Sequence, residues 1–345
     1  MEIVGVSDLP LHSGKCPKWL FVRMKTLAGL ITEAIIVEYG VDEFIKRISN
    51  PYFFQAFGCV LGFDWHSSGL TTTTLGALKE AIEPEKHGIA ILGGKGVASR
   101  KTLDEIEKIS NIFPLSDEET DYLKHTSRMV AKVDSAAVQD GYQLYHHNFI
   151  LAENGKWAVV QQGMNPSKKY ARRYHWLSGE FKSFVEEPHI AICCDHRGKS
   201  LDMTSKENKE LRKVSVDLVK DGLHEVKKYL MMTSFHRVDN KVYKKLLDLN
   251  EFQPRNFEEL LAFQGVGPKT IRALALTSEL IYGTEISWKD PAKFSFARGG
   301  KDGTPYPVDR KVYDESNDIL RNAIENARLG NKEKLWALKR LQNFV

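Results

Sequence analysis

The stretch that decides the fold is GYQLYHHNFILAENGKWAVVQQ, residues 141–162. Aromatic and β-branched residues are frequent in residues 142–151, and the pattern resumes with Trp157, Val159 and Val160. Asn154-Gly155 lies between the two runs. Because an Asn-Gly pair readily adopts the left-handed backbone of a tight turn, this pattern predicts two antiparallel strands joined as a β-hairpin.

The chain before this hairpin has mostly helical spacing of its apolar residues. In residues 25–49 the spacing predicts two helices divided by Gly40, which suits the position after a helix end. Ser116 and Glu119 form a capping box before a helix that extends to about Val138. A short apolar strand, residues 88–92, enters a glycine-rich stretch, residues 93–96, which we interpret as a turn with a phosphate contact. We therefore predict a helix-rich N-terminal domain, residues 1–138.

After the hairpin, the sequence predicts one more strand at residues 189–194 and then helices to the end of the chain. This organisation gives a small β-hairpin-containing region, residues 139–200, followed by an all-α C-terminal domain, residues 201–345. The predicted fold class is α+β, predominantly helical.

Composition indicates an ordinary globular chain of 345 residues, with 42% hydrophobic and 27% charged residues. The formal net charge of +4 is too small to identify a partner. Four cysteines are too few in so long a chain for a disulfide scaffold. Neither a signal peptide nor an apolar stretch long enough to cross a bilayer is present, so we expect a cytoplasmic protein without a membrane partner.

A second motif lies between two predicted helices and points to nucleic acid. It consists of Gly265, Val266, Gly267, Pro268 and, after one lysine, Thr270. The glycines permit a tight turn that approaches phosphate closely, and the proline suits the first position of a helix. The free N–H groups of that helix could then bind an anion. We predict a helix-hairpin-helix that binds the backbone of DNA, or of RNA, with little sequence preference; the alternative is a corner that only packs two helices.

Residues 261–273 resemble the hairpin of the DNA glycosylase superfamily that is named for a helix-hairpin-helix, a Gly/Pro-rich loop and an aspartate. Lys269 matches the lysine of the AP lyase members, and Asp309 matches the aspartate. The resemblance implies a DNA repair enzyme in which Lys269 forms a Schiff base with an abasic or damaged deoxyribose while Asp309 assists. Residues 284–306 are an insertion relative to that pattern. The whole chain also resembles an uncharacterised prokaryotic protein family.

The lysine and the aspartate each have a simpler interpretation. Lys269 could pair with phosphate without reacting, and Asp309 could cap a helix. In that case the protein would be a non-catalytic nucleic-acid-binding module.

A basic segment, residues 165–183, offers further contacts to nucleic acid. Lys168, Lys169, Arg172 and Arg173 alternate there with aromatic residues, as in grooves that bind single strands or distorted duplexes. The alternative is a solvated basic face whose aromatic residues turn into the core.

Polar residues around the β-hairpin suggest a different enzyme class. Asp134, Asp140, Gln143, His146 and His147 could hold a divalent metal for phosphodiester hydrolysis, with the C-terminal hairpin as a DNA clamp. The alternative is the polar face of a half-exposed hairpin.

No cofactor is firmly implied by the sequence. A monovalent cation at the helix-hairpin-helix is compatible with it, and the divalent metal belongs only to the nuclease hypothesis.

Overall fold

The computed structural model describes residues 9–11, 14–64, 67–194, 196–224, 240–293 and 310–344. The helices are α1 (Lys18–Tyr39), α2 (Val41–Ser49), α3 (Pro51–Val60), α4 (Ser68–Ala81), α5 (Pro84–His87), α6 (Thr102–Ser110), α7 (Asp117–Lys132), α8 (Lys209–Lys220), α9 (Asn240–Phe252), α10 (Phe257–Ala262), α11 (Pro268–Tyr282), α12 (Arg310–Asn326) and α13 (Asn331–Phe344). The strands are β1 (Leu9–Pro10), β2 (Ile89–Lys95), β3 (Val138–Gln139), β4 (Gln143–Ala152), β5 (Trp157–Asn165), β6 (Tyr170–Leu177), β7 (Ala191–Cys193) and β8 (Leu201–Asp202). A 3-10 helix, Gly96–Lys101, precedes α6, and a short π-helix, Val133–Ala137, continues α7.

A six-stranded antiparallel sheet forms the centre of the described structure. Its strands follow the order β1-β6-β5-β4-β2, and β7 pairs with β6 on the edge that β1 also uses. Strands β4 and β5 form the hairpin predicted around Asn154-Gly155, with Ile150 opposite Ala158. Strand β2 pairs along the other edge of β4. The sheet therefore draws on residues both inside and outside the segment 139–200.

Helices cover both faces of this sheet. Ala158 and Val160 of β5 lie in an apolar cluster with α1–α4, whereas Trp157 and Val159 lie in a second cluster with α6, α7 and α8. Because successive strand residues point to opposite faces, β5 is buried on both sides, which explains the consecutive apolar residues 157–160 at its start.

The C-terminal helices contribute to both layers. Helices α12 and α13 pack on α1 and α3, where Leu320 and Leu341 join the apolar cluster. Helices α8, α10 and α11 pack on the opposite layer, together with α7 and the π-helix.

Three helix boundaries show how local sequence positions these elements. Gly40, with φ of 87°, separates α1 from α2 as predicted. The side chain of Asn50 accepts hydrogen bonds from the first backbone N–H groups of α3, and Pro51 occupies its first turn. The capping box predicted from Ser116 and Glu119 forms at the start of α7.

The fold is α+β and predominantly helical, with a small antiparallel sheet, as the sequence predicted. In the part of the chain that the structure describes, no helix combines the length and the apolar character needed to cross a membrane.

Candidate nucleic-acid interface

The Gly265–Thr270 motif forms a tight connection between α10 and α11. Val266 is 4% exposed and anchors the turn in the apolar cluster below. Gly265 has φ of 85°, a left-handed conformation that glycine adopts without steric cost. Gly267 is extended, with φ of −140°, and Pro268 occupies the first turn of the 15-residue helix α11. The two elements and the turn that the sequence predicted are therefore present.

The turn is fixed to the end of α7 and to the strand that follows it. Lys132 donates a hydrogen bond of 2.5 Å to the carbonyl oxygen of Phe263. The side chain of Gln139 donates to the carbonyl oxygen of Pro268 at 2.9 Å and accepts from Arg272 at 3.0 Å. These bonds hold both sides of the turn, so its free backbone groups keep a defined direction.

Cationic side chains surround the turn. The ammonium group of Lys245 lies over the ring of Phe263, at 5.3 Å from its centroid, and pairs with Asp248. Lys269 is exposed at the start of α11. Burial and, as a smaller cause, the positive charge of Lys245 together lower the pKa of Lys132 to about 8. A nearby anion would offset the mutual repulsion of these lysines.

The two glycines of the turn differ in the space around them. A Cβ atom added at Gly265 would lie 2.7 Å from Cε of Lys245, whereas one added at Gly267 would meet no heavy atom within 4 Å. Gly267 also needs no unusual backbone conformation. The folded protein alone gives no steric reason for glycine at this position, and the backbone there is open to a ligand.

The proposed partner of Lys269 falls outside the described residues. Asp309 belongs to the segment 294–309, on which the structure gives no information. The convergence of Lys269 and Asp309 therefore stays a prediction.

The basic segment divides into exposed and buried parts. Lys168 and Lys169 are exposed in the turn between β5 and β6, where contact with nucleic acid stays a prediction. Arg172 and Arg173 are 0% exposed. The prediction that these two arginines contact DNA is wrong, because their guanidinium groups are enclosed by protein on opposite faces of the sheet.

Each of the two arginines has its own set of protein partners. Arg172 donates to Asp140 at 2.9 Å and to Asp290 at 3.1 Å, and its guanidinium lies over the ring of Tyr142. On the other face, Arg173 is held by hydrogen bonds of 2.9 to 3.3 Å to the side chains of His175, Gln55 and Thr71.

The residues of the nuclease hypothesis do not lie together in one site. Asp140 binds Arg172 and also accepts from Tyr174 at 2.7 Å. Gln143 is exposed at the start of β4. Asp134 accepts from Trp176 at 3.0 Å and pairs with His189 and Gln161. Within the described ranges, no three His, Cys, Asp or Glu side chains could hold one metal ion, so the predicted shared metal site is wrong.

His146 and His147 instead line a cavity of about 330 Å³, here called the histidine cavity. It lies between the 3-10 helix, α6, α7 and the start of β4, where the pairing register shifts between Leu144 and His146. Such a bulge re-aims the side chains next to it. The glycine-rich stretch interpreted as a turn, residues 93–96, is the end of β2 and the beginning of the 3-10 helix.

Both histidines of this cavity are buried and favour the neutral ring. Burial lowers the pKa of His146 to about 3, and His147 and Lys95 act in the same direction, while the Asn148 side chain opposes them. Burial also lowers the pKa of His147, against the opposing effects of Gln161 and Asp134. Neither nitrogen of His146 has a hydrogen bond of acceptable geometry.

Sequence reasoning missed several residues of these two sites. These residues are Lys132 and Lys245 at the turn, and Ser127, Arg100 and Arg128 at the cavity, and none of them belongs to a functional motif. Their positions depend on how the helices pack, and the spacing of each helix indicates only which of its faces is apolar.

The described residues form an α+β protein with a tight turn between α10 and α11 and a cavity lined by His146 and His147. The chain belongs to the family described as "Protein of unknown function (DUF763)", which it matches over residues 5–308. That match covers nearly the whole chain, and no glycosylase family matches the C-terminal third. The predicted resemblance to the glycosylase superfamily is therefore wrong, and the roles carried over from it to Lys269 and Asp309 lose that support.

No curated protein and no solved structure is similar enough to this chain to count as a match.

Proposed function

We propose that this protein binds the sugar-phosphate backbone of DNA through the turn between α10 and α11. The observation that carries the proposal is the open space at Gly267, directly before the N-terminus of α11. Pro268 has no N–H group, so Lys269 and Thr270 supply the first unpaired backbone donors of the helix. A phosphate oxygen near Gly267 would accept from these donors and favour the positive end of the helix dipole.

The contacts in this proposal are electrostatic and involve the backbone of the ligand. The hydrogen-bond donors of the turn and of Lys269 bind phosphate oxygen atoms, and none of them distinguishes one base from another. Lys132 and Lys245 add positive charge beside the same turn. We therefore expect similar affinity for duplexes of unrelated sequence and a strong dependence on salt concentration.

The experiment measures fluorescence anisotropy of labelled duplexes of several sequences over a range of salt concentrations. Each phosphate that the protein neutralises should add about 0.9 to the slope of log K against log salt. Lys269→Gln should reduce that slope by roughly one such step. Lys46→Gln is the matched control, because Lys46 is an exposed lysine on α2, in the helical layer on the other face of the sheet.

Failure of the wild-type protein to bind any duplex at low salt would contradict the proposal. Equal effects of Lys269→Gln and Lys46→Gln would show that net charge, and not the turn, causes the binding.

A further inference from the structure

The histidine cavity has a lining suited to an anion. Of the described residues that line it, none is acidic, and Arg100 and Arg128 are exposed at its edge. His146 lines it while 2% exposed, and both ring nitrogens lack a hydrogen bond of acceptable geometry. Those nitrogens are enclosed by protein, so an anion in the cavity would contact the other polar groups of the lining.

Hydrogen bonds around Gln161 fix the tautomer of His147. The side-chain nitrogen of Gln161 donates to the carbonyl oxygen of Val130 at 3.3 Å and also to Asp134. Because a backbone carbonyl can only accept, the side-chain oxygen of Gln161 must face His147, whose Nδ1 lies 2.7 Å away. Nδ1 therefore carries the proton in the neutral ring, and Nε2 has the free lone pair.

That lone pair determines what Ser127 presents to the cavity. Oγ of Ser127 lies 3.0 Å from Nε2 of His147, so the hydroxyl donates its proton to the ring. The lone pairs of Oγ remain for the cavity, which Ser127 also lines. A site built only to hold an anion would present the hydroxyl proton, whereas a nucleophile presents its lone pairs toward an electrophile and its proton toward a base.

The cavity also lies next to the proposed DNA-binding turn. Arg128 and Lys132 are four residues apart on α7, so they share one face of that helix. Lys132 binds the Phe263 carbonyl of the turn, and Arg128 lines the cavity. A phosphate backbone bound at the turn would pass close to the mouth of the cavity.

We propose that the histidine cavity is a phosphoryl-transfer site in which Ser127 is the nucleophile and His147 the general base. The class of substrate, a phosphodiester of DNA, rests on the proposed function, whereas the reactivity of Ser127 toward phosphorus does not. Arg100 and Arg128 attract the phosphate, and Gln161 with Asp134 positions His147.

The proposed reaction consumes only the phosphodiester and water. Oγ of Ser127 forms a bond to phosphorus, its proton passes to Nε2 of His147, and the bond from phosphorus to the leaving oxygen breaks. The leaving oxygen takes the proton from His147. Water then attacks the phosphoserine, His147 accepts the proton of the water, and the Ser127 oxygen recovers a proton as it leaves. The net change is hydrolysis of a phosphodiester to a phosphomonoester and an alcohol.

The test uses diisopropyl fluorophosphate on the full chain, with mass spectrometry of the labelled peptides. Attack by Ser127 would form an Oγ–P bond and release fluoride, and the proton would pass to His147. We expect labelling at Ser127, loss of that label in Ser127→Ala, and a labelling rate about 100-fold lower in His147→Gln. Ser99→Ala and Ser135→Ala are matched controls, since both serines line the same cavity and should not be needed.

A second measurement needs no variant. The ¹⁵N chemical shifts of His147 should show a protonated Nδ1 and an unprotonated Nε2. The opposite tautomer, absence of label at Ser127, equal labelling of Ser99 or Ser135, or labelling that is independent of His147 would each overturn the proposal.

The DNA-binding proposal and the serine-site proposal can be refuted independently of each other. Labelling of Ser127 in a protein that binds no duplex would leave the serine site standing and remove DNA as its substrate. Duplex binding without labelling would remove the serine site alone.

Discussion

Alanine at Gly267 tests the DNA-binding turn with little disturbance of the free protein. The backbone at this position is extended, which any residue adopts, and an added Cβ would meet no heavy atom within 4 Å. Surface substitutions of this kind change the free energy of unfolding by less than about 0.5 kcal/mol. We therefore expect Gly267→Ala to melt and unfold like the wild type.

In the complex the same Cβ would lie between the turn and the phosphate. The contact that the Cβ would remove is a hydrogen bond from a backbone N–H to a charged oxygen, which contributes about 1.5–3 kcal/mol to the binding free energy. Loss of one such bond would weaken binding roughly tenfold to a hundredfold. The same factor should apply to every duplex sequence, because phosphate and not base is contacted.

Gly265→Ala gives the contrast. Its positive φ and the 2.7 Å approach to Lys245 make the substitution strained in the free protein. We expect destabilisation by at least about 1–2 kcal/mol, seen as a lower midpoint of urea unfolding. Weaker DNA binding by this variant would combine a disturbed turn with lost contacts, so Gly267→Ala is the more decisive change.

The assay compares anisotropy titrations of wild type and variants against one duplex at low salt, after equal folding is verified by circular dichroism. If Gly267→Ala binds within twofold of wild type while its stability is unchanged, the phosphate does not approach this backbone and the reasoning is refuted.

Further predictions concern three buried or half-buried groups. Asp140→Asn removes one carboxylate from the buried guanidinium of Arg172, so urea unfolding should show a loss of about 3 kcal/mol. Because the folded pKa of His146 is about 3, unfolded His146 binds a proton that the folded chain does not, and stability should fall as the pH drops from about 6.5 toward 3. His146→Asn should reduce that slope by up to about 1.4 kcal/mol per pH unit. Phosphate favours the charged form of Lys132, whose pKa is about 8, so DNA affinity should fall from pH 7 to 9 in wild type and fall less in Lys132→Gln.

Each of these expectations has a clear contrary result. Unchanged unfolding of Asp140→Asn would mean that the carboxylate is not charged in the folded protein. An identical acid slope in His146→Asn would assign the acid sensitivity to other groups, and equal pH dependence of Lys132→Gln would place Lys132 away from the phosphate.

The sequence by itself determined the features that depend on local backbone chemistry. The β4–β5 hairpin follows from Asn154-Gly155 between apolar runs, and the break at Gly40 follows from a left-handed residue that ends one helix. The turn between α10 and α11 follows in the same way from Gly265 and Pro268. In each case a few neighbouring residues fix the backbone, so the pattern can be read without knowing the rest of the fold.

Only the tertiary structure decided which polar side chains are accessible to a ligand and which are buried. Arg172 and Arg173 look like surface cations in sequence, yet neighbours on a strand point to opposite faces, and helices cover both faces of this sheet. Ser127 and His147, 20 positions apart, meet only because α7 packs over β4. Local sequence indicates the conformation of each segment, but which segments bury a given side chain is settled when the apolar faces of distant elements come together.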